Sequence, residues 1–141
     1  MDQYVVDASI ILKWVVGDEL ELDYAKARHL LEGWMNGRWE LAAPTLWTYE
    51  VGNFLGRQVP EEAAEKISLL LDLKIRNIDL DEGMCRRCFT WMQRHGVTFY
   101  DAAYLAVAFE LPGRLITADE KFVGKMPETE RLCLLKDLEL P

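Results

Sequence analysis

Four acidic residues stand out because of where they fall in the local pattern of the chain. Asp7 follows a short β-branched run, and Glu50 lies in the middle of a mostly apolar helical segment. Asp101 falls in the first turn of another helical segment, and Asp119 comes just after a short apolar run that ends at Thr117. Carboxylates gathered in one crevice repel each other, and divalent cations remove that cost. Oxygen ligands without His or Cys favour Mg²⁺ or Mn²⁺ over zinc, and such cations activate water at a phosphodiester.

Each acid taken alone also has a structural explanation. Asp7 and Asp119 can cap the helical turns that follow them, and Thr98 with Asp101 fits a capping box. Glu50 can be an ordinary solvated helix residue. The preference of Asp for helix caps favours the structural interpretation of any single acid by about 3 to 1. The four acids considered together favour a shared site, because a charge on an apolar helix is costly unless it meets a partner.

The elements that must position these acids alternate between short apolar strands and amphipathic helices. Strands that are apolar on both faces indicate a parallel sheet covered on both sides, and ligands of such sheets bind beyond the carboxyl ends of the strands. The predicted fold class is therefore α/β, with a parallel central sheet and helices on both faces. Strands are expected at residues 4–6, 39–43, 74–79, 115–117 and 132–135, and helices at 8–16, 24–35, 46–58, from 60, from 81 or 82 to 95, and 99–111.

The third and fourth helices carry the more detailed predictions. Thr45 is expected to cap the third helix, on which Glu50 and Asn53 share one face. Pro60 is expected to begin the fourth helix, with Leu71 in its core stripe together with Ala63, Ile67 and Leu70. Trp47 is about twice as well explained by ordinary core packing as by a protein-binding face.

The length and the net charge of the chain limit the number of domains and the class of protein. The 141 residues suit one domain spanning 1–141, and 50% of them are hydrophobic, which is enough for a core. A net charge of −8 argues against a simple nucleic-acid-binding module, but not against an enzyme that meets phosphates through cations. The acidic run 19–23 is expected to be a solvated surface.

The cysteines and the apolar runs indicate the cellular compartment in which the protein is expected. Three cysteines form no disulfide framework, and the pair Cys85 and Cys88 lies inside a predicted helix, where packing is the better explanation than redox or metal chemistry. No apolar run approaches the roughly 20 residues of a membrane span, and no signal peptide is expected. A cytoplasmic location without membrane contact is the resulting expectation.

Taken in order, four segments resemble a PIN domain, and specifically the toxin of VapBC-type toxin–antitoxin systems. They are residues 4–9, 44–53, 100–106 and 115–119, which read YVVDAS, PTLWTYEVGN, YDAAYLA and LITAD. Each motif alone is weak, whereas the ordered set in a chain of this length is specific. One departure is Gly52, which weakens the middle of a helix by about 1 kcal/mol relative to Ala and could serve close packing.

The resemblance implies a site and an activity. The metal site would consist of four acids, supported by three polar residues: Asp7, Glu50, Asp101 and Asp119, with Ser9, Asn53 and Thr117. Asp7 and Asp101 would be direct ligands of Mg²⁺ or Mn²⁺, and Glu50 and Asp119 would act directly or through water. The implied activity is metal-dependent cleavage of single-stranded or looped RNA, and the implied partners are a second copy in a homodimer and an antitoxin whose tail enters the groove.

Other interpretations remain open on the sequence alone. A receiver-like phosphoacceptor module needs an acceptor Asp on a middle strand and a Lys after a later one. A haloacid-dehalogenase-type phosphohydrolase needs a second Asp, which the sequence Asp7-Ala8-Ser9 lacks. A PIN-fold scaffold that binds RNA or protein without catalysis also fits. The basic residues considered for phosphate contacts are Lys13, Arg57, Arg94 and Lys121, although a surface Lys or Arg is usually only solvated.

Overall fold

The computed structural model describes residues 1–18, 20 and 22–141, and in the acidic run 19–23 both Glu19 and Glu21 lie outside the described residues. The strands are β1 (Gln3–Val6), β2 (Glu40–Pro44), β3 (Arg76–Ile78), β4 (Arg114–Thr117) and β5 (Leu132–Leu134). The helices are α1 (Ala8–Val16), α2 (Leu22–Met35), α3 (Trp47–Gln58), α4 (Ala63–Leu73), α5 (Glu82–His95), α6 (Phe99–Glu110) and α7 (Glu120–Lys125), followed by a 3₁₀ turn at Leu135–Asp137.

The five strands form one sheet in the order β3-β2-β1-β4-β5, and every pairing is parallel, as predicted. The chain order reverses at β1, since β2 and β3 lie on one side of it and β4 and β5 on the other. In the β1–β4 pair Val6 is opposite Ile116, so Asp7, which follows β1, and Thr117, which is the last residue of β4, lie side by side at the carboxyl end of the pair. Such a reversal opens a crevice at the carboxyl edge of the sheet.

Both faces of the sheet are covered. Consecutive strand residues point to opposite faces, and Val5 and Val6 on β1 and Leu115 and Ile116 on β4 are all fully buried. Helices α1 and α6 both contact β1 and β4. Almost every residue of α6 between Asp101 and Phe109 is buried, which makes this helix the centre of the core. The predicted α/β class with helices on both faces is confirmed.

The predicted start of α3 is wrong. The helix begins at Trp47 and its N-cap is Leu46, which makes no side-chain capping hydrogen bond. The Thr45 hydroxyl instead donates to Oδ1 of Asp79 at 3.2 Å, across the β2–β3 edge. The local sequence predicted that the Thr45 side chain caps α3, but it hydrogen-bonds to a residue 34 positions away instead.

Helix α4 also differs from expectation. It begins at Ala63, because Pro60 and the two residues after it form a turn. Leu70 is 2% exposed, as expected of a core residue. Leu71 is 48% exposed, so the prediction that it belongs to the core stripe is wrong. The reason is the direction of packing, since α4 contacts α3 and α1 on the side that carries Leu70.

The core interpretations of the aromatic and sulfur residues fit the structure. Trp47 is 1% exposed, and its indole N–H donates to Oδ1 of Asn77 at 2.7 Å. Cys88 is buried, and burial raises the pKa of its thiol to about 11, so the thiol stays protonated at neutral pH. At Gly52 an added Cβ would meet no atom within 4 Å, so close packing does not explain this glycine. Across the residues described, no helix has the length and apolarity needed to cross a membrane.

Candidate active site

Asp7 lies at the junction of β1 and α1, where two hydroxyls and a backbone amide hold its carboxylate. Ser9 Oγ donates to Oδ1 at 2.5 Å, and the Ile10 N–H donates to the same oxygen at 3.3 Å as a helix cap. Thr117 Oγ1 donates to Oδ2. Asp7 is thus a helix cap, as one interpretation of the sequence predicted, and it accepts more side-chain and backbone hydrogen bonds than the other three acids do among the described residues.

The same two hydroxyls connect β1 to the segment after β4. Ser9 Oγ accepts the Ala118 N–H at 3.0 Å, and Thr117 Oγ1 accepts the Asp119 N–H at 3.0 Å. Thr117 is fully buried, and it is the one buried polar residue in the described part of the chain. Ser9 and Thr117 therefore lie beside Asp7, where the resemblance placed them, and they fix the backbone that delivers Asp119.

Asp119 and Asp101 enter the crevice from helix starts. Oδ1 of Asp119 accepts the Phe122 N–H at 3.0 Å and caps α7, while its side chain stays half-buried. Asp101 lies in the first turn of α6, and its backbone N–H donates to Thr98 Oγ1 at 3.1 Å, which is half of the predicted capping box. A crossover helix that precedes a parallel strand starts at the carboxyl edge of the sheet, and this topology brings Asp101 to the crevice.

Glu50 reaches the crevice from α3 and meets a tyrosine there. The hydroxyl of Tyr104 on α6 donates to Glu50 Oε1 at 2.7 Å. Asn53, predicted as a supporting residue on the same helix face, is exposed, and its Oδ1 accepts a hydrogen bond from Arg57 Nε at 3.2 Å. In the described residues Asn53 makes no hydrogen bond to any of the four acids.

The charges of the four acids interact, and Asp101 is at the centre of that interaction. Burial raises the pKa of Asp7 to about 6 against the hydroxyl and amide hydrogen bonds that lower it, and the charge of Asp101 raises it further. Burial and the charge of Asp101 also raise the pKa of Glu50. The pKa of Asp101 is raised in turn by burial and by the charge of Asp119. Asp7, Glu50 and Asp119 thus all lie within electrostatic reach of Asp101.

The donor set fits a hard divalent cation in chemistry, although the side chains are also engaged elsewhere. A carboxylate offers about four lone-pair positions, of which Asp7 uses three and Asp119 uses one. In the conformation described, no three Asp, Glu, His or Cys side chains of the described residues form a group that could hold a metal ion. Oxygen atoms for a cation are therefore present at one edge of the sheet, but no three of these side chains converge on one point in this conformation.

Two residues near the acids were missed by the sequence analysis. Tyr104 lies one helical turn after Asp101, and this i, i+3 spacing on an otherwise apolar helix was the available signal. Lys125 at the end of α7 lowers the pKa of Asp101 through its charge. The basic residues considered from the sequence were instead Lys13, Arg57, Arg94 and Lys121. Nothing in the local sequence singles out Lys125, because its proximity to Asp101 depends on tertiary packing.

Comparisons with known proteins agree on one family. The family model described as the PIN domain matches residues 4–125. Ribonuclease VapC3 of Pyrobaculum aerophilum is 30% identical over 130 residues, covering 87% of this chain and 94% of that protein. Ribonuclease VapC1 of Mycobacterium tuberculosis H37Rv is 34% identical over 128 residues, covering 88% and 91%. A toxin–antitoxin complex from Klebsiella pneumoniae shares the fold with a TM-score of 0.70 at 18% identity, over 96% of this chain and 99% of that chain.

Proposed function

Because the chain belongs to the PIN domain family, we propose that it is an endoribonuclease of the VapC toxin type that cleaves RNA phosphodiester bonds. Its relatives at 30% and 34% identity are named ribonucleases, and the alignments cover most of both chains. The observation that carries the proposal is the set of four half-buried acids at one sheet edge, three of which lie within electrostatic reach of Asp101. Such a concentration of negative charge destabilises the fold, and groups perturbed in this way are typical of functional sites.

The catalytic and metal-holding residues proposed are Asp7, Glu50, Asp101 and Asp119. Mg²⁺ or Mn²⁺ suits their all-oxygen donor set, and when bound such a cation supplies positive charge to activate water and to stabilise the leaving oxygen. Asp7 is held by Ser9 and Thr117, so its carboxylate is presented in one orientation. Asp101 and Glu50 contribute negative charge that attracts the cation.

We place the RNA substrate at the edge of the sheet that carries the four acids. RNA brings its own negative charge to a chain of net charge −8, so cations near the acids matter more than the overall charge. Lys125 is exposed and lies within electrostatic reach of Asp101, and we assign it a contact with a phosphate next to the bond that is cut. Tyr100, beside Asp101, is 62% exposed and offers a ring on which a base can stack.

A homodimer and an antitoxin partner complete the proposal. A structure that shares this fold is titled a toxin–antitoxin complex. Four large apolar side chains on α3 and α4 are exposed here and provide a surface for a protein partner: Tyr49, Phe54, Leu69 and Leu71. An RNA-cleaving toxin acts where its RNA is, and the cytoplasm is the compartment we expect.

Cleavage of RNA by the purified protein tests this proposal. The wild type is freed of any partner and incubated with RNA in Mg²⁺ or Mn²⁺, then in EDTA, beside Asp101→Asn and the matched control Asp72→Asn, which changes an exposed acid on α4. Cleavage that needs the metal, survives in the Asp72 variant and is lost in the Asp101 variant is expected. Cleavage retained by the Asp101 variant would contradict the assigned site, and a folded wild type that cuts no RNA would favour the non-catalytic PIN-fold scaffold.

A further inference from the structure

Tyr104 has a place in the site that no sequence pattern assigned to it. We propose that Tyr104 is a positioning residue, whose hydroxyl holds the Glu50 carboxylate toward Asp101 and thereby strengthens divalent-cation binding. This inference rests on the proposed function, since it concerns the same four acids. It assigns no contact between Tyr104 and the substrate, and Tyr104 acts only through Glu50.

The Glu50 side chain has a single hydrogen-bonding partner among the described residues. Among the described residues, the Tyr104 hydroxyl at 2.7 Å is the only group that hydrogen-bonds to the Glu50 side chain. Asp7 differs, because it accepts hydrogen bonds from Ser9, Ile10 and Thr117. A half-buried Glu has several rotatable bonds, and one hydrogen bond therefore decides whether its carboxylate points inward or toward solvent.

A further support is the rigidity of Tyr104 itself. Its side chain is 2% exposed and lies in the buried run of α6, so the ring has no freedom to follow Glu50 outward. The hydroxyl thus offers a fixed, neutral donor to a carboxylate that must keep its charge.

The hydroxyl of Tyr104 also links two of the helices that carry the acids. The hydroxyl of Tyr104 on α6 reaches α3 through its hydrogen bond to Glu50 at 2.7 Å. Tyr104 is one helical turn from Asp101 and shares its helix face. A single hydroxyl therefore connects the two helices that supply Glu50 and Asp101.

Outer residues that orient metal ligands have a measurable effect. Removing such a partner reduces metal affinity by about 10- to 100-fold in known metal sites. A residue that only fills the core would instead change stability and leave the metal affinity of the folded protein unchanged. Tyr104→Phe separates these roles, because it keeps the buried ring and removes only the hydroxyl.

The test is a double-mutant cycle read by Mn²⁺ binding to folded protein, with thermal melting of each variant to establish folding. The variants are Tyr104→Phe, Glu50→Ala and the double variant, and Tyr4→Phe is the matched control because it likewise removes one hydroxyl from a buried ring, which packs edge-on against Trp39. We expect Tyr104→Phe to weaken Mn²⁺ binding by about 10- to 100-fold. In the Glu50→Ala background the same change should have no further effect, and Tyr4→Phe should bind Mn²⁺ as the wild type does.

Each other outcome overturns the inference in a recognisable way. Equal Mn²⁺ affinities for the wild type and Tyr104→Phe, with RNA cleavage intact, would overturn the positioning role and leave the proposed function standing. The same loss in both backgrounds would show that Tyr104 acts on the fold and not through Glu50. A folded wild type that neither binds Mn²⁺ nor cleaves RNA would overturn the proposed function, and the positioning role with it.

Discussion

Replacing Asp7 by Asn should make the metal-free protein more stable and inactive. Burial raises the pKa of Asp7 from 3.8 to about 6 in the folded state. A carboxyl whose pKa is raised on folding stabilises the fold fully below its unfolded pKa, and that contribution is lost as the pH rises through the folded pKa. Above about pH 6 the ionised Asp7 is therefore a cost to the folded protein that a neutral amide avoids.

The size of the gain follows from the same shift. A change from 3.8 to about 6 corresponds to about 3 kcal/mol at about 1.4 kcal/mol for each pKa unit. Against this, the Thr117 hydroxyl loses a charged acceptor and Asn presents an N–H₂ group to it, which costs about 1 kcal/mol. The net gain at pH 7 is about 2 kcal/mol, or roughly 4–8 °C in melting temperature for a domain of this size.

The assay is thermal unfolding of the wild type and Asp7→Asn in EDTA between pH 4 and pH 8. The difference should be near zero at pH 4, grow through pH 6 and reach its maximum above that. Added Mg²⁺ should stabilise the wild type more than the variant, because the cation binds the intact site. The exposed Asp72→Asn change should have little effect at any pH. A variant less stable than the wild type at pH 7 in EDTA would refute the reasoning.

Four further changes test the packing and the charges around the site. Thr117→Val should lower the unfolding free energy by about 2–4 kcal/mol, because it removes the donor to Asp7 and leaves the Asp119 N–H without its acceptor, while Thr117→Ser should retain most stability in denaturant titrations. Gly33→Ala should destabilise by about 1–3 kcal/mol, since its Cβ would lie 1.8 Å from the Trp39 ring. Gly52→Ala should stabilise by about 1 kcal/mol, because the added methyl meets no atom within 4 Å. Lys125→Ala should weaken RNA binding, measured by fluorescence anisotropy in EDTA. It should also reduce by about one the slope of the logarithm of the binding constant against the logarithm of the salt concentration.

The architecture followed from the sequence because it depends on local pattern. Apolar runs such as 4–6 and 115–117 are short and lack alternation, and that is the signature of strands buried on both faces. Asp7 and Thr117 end two of these runs, and parallel neighbours in register bring their ends together. The placement of these two residues was therefore predictable without knowledge of any tertiary contact.

What the sequence could not supply depends on contacts between distant segments. Thr45 has a good capping sequence, but a hydrogen bond to Asp79 takes its hydroxyl. Tyr104 looks like any core aromatic until Glu50, 54 residues away, is placed beside its hydroxyl. Lys125 carries no local signal at all. In each case the partner is determined by the tertiary packing of separate strands or helices, which the local sequence of one element does not encode.

The central claim is that four acids from four segments act as one cation-holding site. Anomalous scattering from crystals soaked in Mn²⁺ measures this directly, since it locates the ion without assuming its ligands. We expect a Mn²⁺ peak bonded to Asp101 and to at least one of Asp7, Glu50 and Asp119, and we expect this peak to be lost in Asp101→Asn. A peak held by other residues, or RNA cleavage by protein that binds no Mn²⁺ at this edge, would contradict the central claim.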